Sequence, residues 1–286
     1  GATSGAPAGT PVEDFTASDG VALAYRAYTP AAPVGVVVMI HGGGAHSGAS
    51  YPATARTLAD EFALVVITPD LRGHGVSEGE RGEAPSARRI FADLDELLSL
   101  VGERWPDLPV TLAGHSSGAG LIVNYARQGE PPIPVERYAF VAPFLGFHSQ
   151  TERLPNPQPF STSTTWPFAL NAMSFGLLFG DYPAVRFAYP ADVRERDPLL
   201  LASISVNVAN AVTPANPQRD LPRVAPLAIW IGSEDETVDP QKLAEFAAAH
   251  APEASFTILP GVNHLGILQS GAAPLGAWIT GRPTEQ

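Results

Sequence analysis

Val110-Thr-Leu-Ala-Gly114-His115-Ser116-Ser117-Gly118-Ala119-Gly120-Leu121-Ile-Val-Asn-Tyr125 is the stretch on which the reading of this chain turns. Val110 to Ala113 is an apolar, strand-like run, a helix-like segment follows, and between them Ser116 sits inside Gly-x-Ser-x-Gly. A serine on a sharp turn between a buried strand and a helix has its Oγ exposed, and the helix amides point at any carbonyl that approaches it. The pattern occurs a second time, as Gly75-Val-Ser77-Glu-Gly79. No strand immediately precedes that serine, charged residues crowd it, and Gly82 and Pro85 rule out a regular helix directly after it, so Ser77 reads as a polar turn or a small cap.

Outward from the serine the chain alternates. Upstream, Val34 to Ile40 is a continuous apolar run rich in β-branched residues, the pattern of a strand buried on both faces. A helix-like stretch from Tyr51 to Phe62 leads to the run Leu64 to Thr68. A second, from Ser86 to Trp105, carries Ile90, Phe91, Leu94, Leu97 and Leu98 at helical spacing. Downstream come Tyr138 to Ala142, Leu227 to Ile231, a helix around Gln241 to His250, the run Ser255 to Leu259, and a last helix before Thr280. Such alternation predicts an α/β fold with a mostly parallel sheet of about eight strands and helices on both faces. Asp19-Gly20, inside Asp14 to Tyr28, predicts an opening hairpin.

Residues 145–222 break the alternation with a Pro-, Asn- and aromatic-rich insertion that holds Trp166, Phe168, Met173, Phe175, Leu177, Leu178, Phe179 and Tyr182. A loop of that length inside a compact domain is normally functional, and it is expected to be a cap. The expected organisation is a flexible segment at 1–12, a core of 13–144 plus 223–282, and the cap at 145–222. Residues 1–12 are small, polar and Pro/Gly-rich and read as a processed end, a tether or an expression scar.

Composition narrows the chemistry. The 286 residues carry a net charge of −12 without a local Lys/Arg cluster, which excludes nucleic acid as a partner. With no cysteine there is no thiolate nucleophile, no disulfide framework and no Cys-ligated zinc, and either a cytoplasmic or an exported protein is compatible. No apolar stretch approaches the roughly 20 residues of a membrane helix, so a soluble protein is expected. Monomer and homodimer both suit such a chain.

A serine at neutral pH is a weak nucleophile and needs a base, which needs a third group to fix its tautomer. Three histidines follow Ser116: His148, His250 and His264. His148 opens the insertion and His250 ends a helix, where a surface histidine compensating the helix dipole is expected. His264 follows the run Ser255 to Leu259 through Pro260-Gly261-Val-Asn263, which places it at the carboxyl edge of the sheet. The acid is expected in Gly232-Ser233-Glu234-Asp235-Glu236-Thr237-Val238-Asp239, where four carboxylates compete. Asp235 is the choice, with the others solvated or capping the next helix. The order Ser116, Asp235, His264 is that of the α/β-hydrolase triad.

At these residues the sequence resembles the α/β-hydrolase superfamily, in particular its branch of monoacylglycerol lipases, lysophospholipases and serine aminopeptidases. The resemblance runs from about Asp14 to Trp278. It includes His41-Gly-Gly-Gly-Ala-His46-Ser47 with Tyr51, Asp70-Leu-Arg-Gly73-His74-Gly75, and the Gly-Ser-Glu-Asp235 and Asn-His264 segments. It implies that the amides of Gly43 and Ser117 are oxyanion donors, and that His46, Ser47 and His74 hold the loops. Three positions depart from the branch: Ala45 where Glu is frequent, Ser117 where Met is common, and Ala119 where a second Gly is usual. Ser117 makes the border of an acyl pocket more polar than methionine would.

The expected activity is therefore hydrolysis of a small-molecule or lipid ester through an acyl-enzyme, with neither metal nor organic cofactor. A peptidase on the same triad would need carboxylates to hold a free amino group, and Asp181, Asp192, Glu195 and Asp197 of the insertion are available. Acyl transfer to an alcohol or amine is a further alternative on this triad. A non-catalytic ligand receptor is disfavoured by the presence of all the chemical groups.

Overall fold

The computed structural model describes residues 10–282. The elements of the core come first as β1 (Val12–Thr16), β2 (Ala22–Tyr28), β3 (Gly35–Ile40), α1 (Tyr51–Phe62), β4 (Leu64–Pro69), α2 (Ala87–Arg104), β5 (Val110–His115), α3 (Ser117–Ala126) and β6 (Arg137–Val141). The insertion adds β7 (Ser161–Ser163), α4 (Trp166–Met173), β8 (Pro183–Phe187), α5 (Ala191–Arg196), β9 (Ser203–Ser205), α6 (Val206–Val212) and α7 (Pro217–Asp220). The core resumes with β10 (Leu227–Gly232), α8 (Pro240–His250), β11 (Ser255–Leu259), α9 (Ile267–Ser270) and α10 (Ala272–Thr280).

Eight strands form one sheet in the order β1-β2-β4-β3-β5-β6-β10-β11. The β1–β2 and β2–β4 pairs are antiparallel and the rest parallel, the α/β-hydrolase arrangement. Strand β3 shows why a continuous apolar run was needed. Val36, Val38 and Ile40 pack with Ile90, Leu94 and Leu98 of α2 on one face, while Val37 and Met39 meet Ala55, Leu58 and Phe62 of α1 on the other. Both faces are dry, so alternation with polar residues is impossible.

The hairpin forms where Asp19-Gly20 predicts it, with Gly20 at φ +88°. Val12, expected in the flexible segment, already pairs with Arg26, so the sheet begins before the expected boundary at 12; residues 1–9 of that segment lie outside the described residues. A strand edge with an unpaired neighbour recruits whatever extended chain precedes the turn, which composition alone did not reveal.

The insertion is more ordered than a loop. Strands β7, β8 and β9 make a separate antiparallel sheet. Helix α6 is sunk into the core, where Val208, Ala209 and Val212 join the cluster built by α2 and α3. By contrast, Met173, Phe175, Leu177 and Leu178 are exposed, Phe175 at 95%. Apolar side chains in a cap suit either an acyl chain or small hydrophobic ester, or packing on the core sheet, and exposure to solvent corrects both expectations for these four. The chain after α4 turns through positive φ at Phe175, Gly176 and Phe179 and does not continue a helical face that could aim them inward.

Candidate active site

Ser116, Asp235 and His264 arrive from three strands, all at the carboxyl edge of the sheet. Ser116 lies at φ +52°, ψ −121° between β5 and α3, the strained conformation that lifts a side chain clear of the turn. Its tightness dictates the flanking glycines. A Cβ on Gly114 would stand 2.5 Å from the Ala119 nitrogen, and one on Gly118 2.5 Å from the Ile40 oxygen.

His264 Nε2 is 3.0 Å from Ser116 Oγ, and its Nδ1 is 2.8 Å from Asp235 Oδ2. Asp235 is wholly buried, and its other oxygen, Oδ1, accepts the Thr237 and Val238 N–H groups at 2.8 and 2.7 Å. Those two amides fix the carboxylate and compensate its burial. Of the competing carboxylates, Asp239 caps α8 by accepting from Gln241 and Lys242 N–H. Glu236 accepts the His264 backbone N–H at 3.0 Å, a contact that sequence spacing did not foretell. The insertion grips the same loop, since Arg153 N–H donates to Thr237 O and the Arg153 guanidinium donates to Asp235 O.

Gly43 and Ser117 both line the cavity beside Ser116. The Gly42–Gly43 peptide is held from behind. Leu71 N–H donates to His41 Nε2, which leaves the His41 proton on Nδ1, and Nδ1–H donates to Gly42 O at 2.9 Å. In a trans peptide the N–H points opposite to the C=O, so this grip aims Gly43 N–H away from His41. Burial holds the His41 pKa below its ordinary value, so the ring is neutral, as that pattern requires. On the outer side Tyr189 donates to Gly43 O at 2.9 Å and Leu201 N–H to Gly44 O at 2.8 Å.

Of the residues expected to hold loops, His46 pairs with Asp197 at 2.8 Å, Ser47 N–H donates to Asp70, and His74 is buried beside His41. Ser77 is buried far from this chemistry: its Oγ donates to Asp70 O and accepts Ala24 N–H. His250 packs on Phe246 at the end of α8. His148 lines the cavity but is not bonded to Ser116.

The cavity in front of Ser116 measures about 370 Å³ and is walled by Phe144, Phe147, Phe160, Phe168 and Phe187. Phe168 is the single one of these among the apolar residues singled out in the insertion. Phe144 and Phe147 lie in the turn that enters the insertion, and Phe160 and Phe187 in the short cap strands and their flanks, where no long apolar periodicity marks them. The cap sheet supplies one wall, where Ser161 pairs with Phe187 and Ser163 with Val185 in register, so each pair shares a face. Glu152 is the carboxylate that reaches this cavity, and burial raises its pKa. Asp181, Asp192, Glu195 and Asp197 are not among its walls. Among the described residues no cluster of His, Asp or Glu could hold a metal, and no helix is long and apolar enough to cross a membrane.

The family model described as serine aminopeptidase, S33, matches residues 31–268. Monoglyceride lipase of Mus musculus is 27% identical over 248 residues, 82% of this chain and 77% of that protein. An uncharacterized abhydrolase domain-containing protein of Dictyostelium discoideum is 36% identical over 115 residues, 40% of this chain but 12% of its own length. A soluble variant of the Saccharomyces cerevisiae monoglyceride lipase, solved with a substrate analog, superposes with a TM-score of 0.69 at 20% identity, over 96% of each chain. That likeness concerns the fold. With a family match that runs from before β3 to beyond β11 and so includes the insertion and the strand ends that carry Ser116, Asp235 and His264, the chain belongs to the serine aminopeptidase S33 family of α/β hydrolases.

Proposed function

We propose that this hydrolase cleaves carboxylic esters by a Ser116–His264–Asp235 mechanism. The carrying observation is the chain of contacts from Asp235 through His264 to Ser116, opening onto an apolar cavity. His264 Nε2 takes the Ser116 proton as Oγ bonds to the ester carbonyl carbon. Asp235 keeps Nδ1 protonated and stabilises the imidazolium. Gly43 and Ser117 N–H donate to the oxyanion, which then collapses, and His264 protonates the departing alcohol as the C–O bond breaks. Water, deprotonated by His264, attacks the acyl-enzyme and releases the acid.

The phenylalanine walls suit an apolar acyl group, and the names of the lipase relatives agree with a lipid ester. Peptide hydrolysis is the weaker reading, because Glu152 alone is positioned to meet a free amino group. The test is initial rates on p-nitrophenyl esters from acetate to palmitate, on monoacylglycerols and on an aminoacyl-arylamide, with wild type and Ser116→Ala. Ester turnover lost in the variant is expected. Turnover confined to the arylamide would transfer the site to peptides. Turnover that survives Ser116→Ala would refute the mechanism, and products appearing only with added alcohol would make it an acyltransferase.

A further inference from the structure

A chain of buried hydrogen bonds runs behind the site. Gly42 N–H donates to Tyr51 Oη at 2.8 Å, Tyr51 Oη lies 2.9 Å from His115 Nδ1, and His115 Nε2 lies 3.1 Å from the His264 carbonyl oxygen. Tyr51 and His115 are each 2% exposed, and none of the three contacts requires water.

The direction of every bond is fixed by its ends. A carbonyl oxygen only accepts, so His115 carries its proton on Nε2. Burial, reinforced by the neighbouring His264, pushes the His115 pKa down to about 3, so the ring is neutral and Nδ1 is bare. Tyr51 must then give its one proton to Nδ1, and its oxygen receives Gly42 N–H. No second arrangement satisfies all the groups. His41, which grips the other side of Gly42, has the opposite tautomer, with its proton on Nδ1.

We propose that Tyr51 and His115 are positioning residues that tie the oxyanion loop to the backbone of the catalytic histidine, so that donor and base are set as one unit. This rests on the roles given above to Ser116, His264 and Gly43. One end of the chain is the residue before the oxyanion donor, the other is the carbonyl of the base, and the middle member adjoins the nucleophile. Displacements of about 1 Å in such geometry cost on the order of 10²-fold in rate. Tyr51→Phe leaves Gly42 N–H and His115 Nδ1 buried without partners, which frees the loop to shift.

The experiment combines kinetics with nitrogen-15 NMR of the imidazoles in the full chain. Wild type is expected to show His115 as the Nε2–H tautomer and His41 as the Nδ1–H tautomer, both unchanged from about pH 6 to about pH 9. Tyr51→Phe is expected to lower kcat about 10- to 100-fold with KM within about threefold, and to slow phosphonate labelling of Ser116 in parallel. His115→Gln, which keeps an N–H for the His264 carbonyl, is expected to retain more activity than His115→Phe. A His115 proton on Nδ1, or an unchanged kcat in folded Tyr51→Phe, overturns the proposal. The tautomers are read on wild type and need no folded variant. Wild type that phosphonate does not label would instead bring down the triad reading and this proposal with it.

Discussion

Two carboxylates one position apart touch the same histidine in different ways. Asp235 Oδ2 meets the ring at Nδ1, whereas Glu236 meets the backbone N–H. Asp235→Asn offers an amide where a proton acceptor is required and favours the wrong tautomer, so kcat is expected to fall about 10⁴-fold with the fold intact. Glu236→Gln keeps an acceptor oxygen for the backbone N–H, and kcat is expected to stay within about threefold of wild type. Parallel steady-state kinetics on one ester decide the matter: a large loss in Glu236→Gln would reassign the acid. That Ser116 and His264 each follow a strand and meet at one edge of the sheet could be read from the sequence, because an apolar run directly precedes each turn. Glu236 could not, since its partner is a backbone group 28 residues away and no side-chain type announces that contact.

The core elements were legible because local pattern and burial agree. Tyr51–Phe62 became a helix over the stretch its spacing predicts, and Ser86 caps α2 by accepting the Arg89 N–H. The cap sheet was not legible. Its outer strands, Ser161–Ser163 and Ser203–Ser205, are short and polar, and each pairs with β8 across a stretch of intervening chain. Pairing of that kind is decided by tertiary packing, which overrides weak propensity. Ile204, 4% exposed, pairs with Val185 and packs in the same cluster as α2 and α3. If the insertion is part of the core, Ile204→Ala should lower global stability by about 2–5 kcal/mol. In urea this would appear as a shift of a single cooperative transition. A separate early transition, with the main one unmoved, would mean the insertion unfolds by itself.

At the scale of the whole molecule, the buried histidines link the site to stability in acid. His74 and His115 are each held near pKa 3, chiefly by burial, with the neighbouring His41 and His264 rings opposing their protonation. An unfolded histidine titrates near 6.5, so between about pH 6.5 and about pH 3 the unfolded chain binds protons that the folded chain refuses. Their contribution is therefore complete above about pH 6.5 and is lost progressively as pH falls toward 3. At about pH 5 each of the two costs about 2 kcal/mol, a large share of the roughly 5–15 kcal/mol that hold a typical domain together. Lowered carboxylate pKa values at Asp19 and Glu96 add to the loss at lower pH, while the raised values at Glu83 and Glu152 oppose it. Urea unfolding followed from about pH 8 to about pH 5 should show stability falling below pH 6.5 with uptake of about two protons or more per molecule unfolded. In a folded His115→Gln chain that uptake should drop by about one proton. An uptake below one in wild type would mean that these rings are protonated in the folded state, and the neutral Nε2–H tautomer on which the Tyr51–His115 chain depends would then be lost in the same pH range.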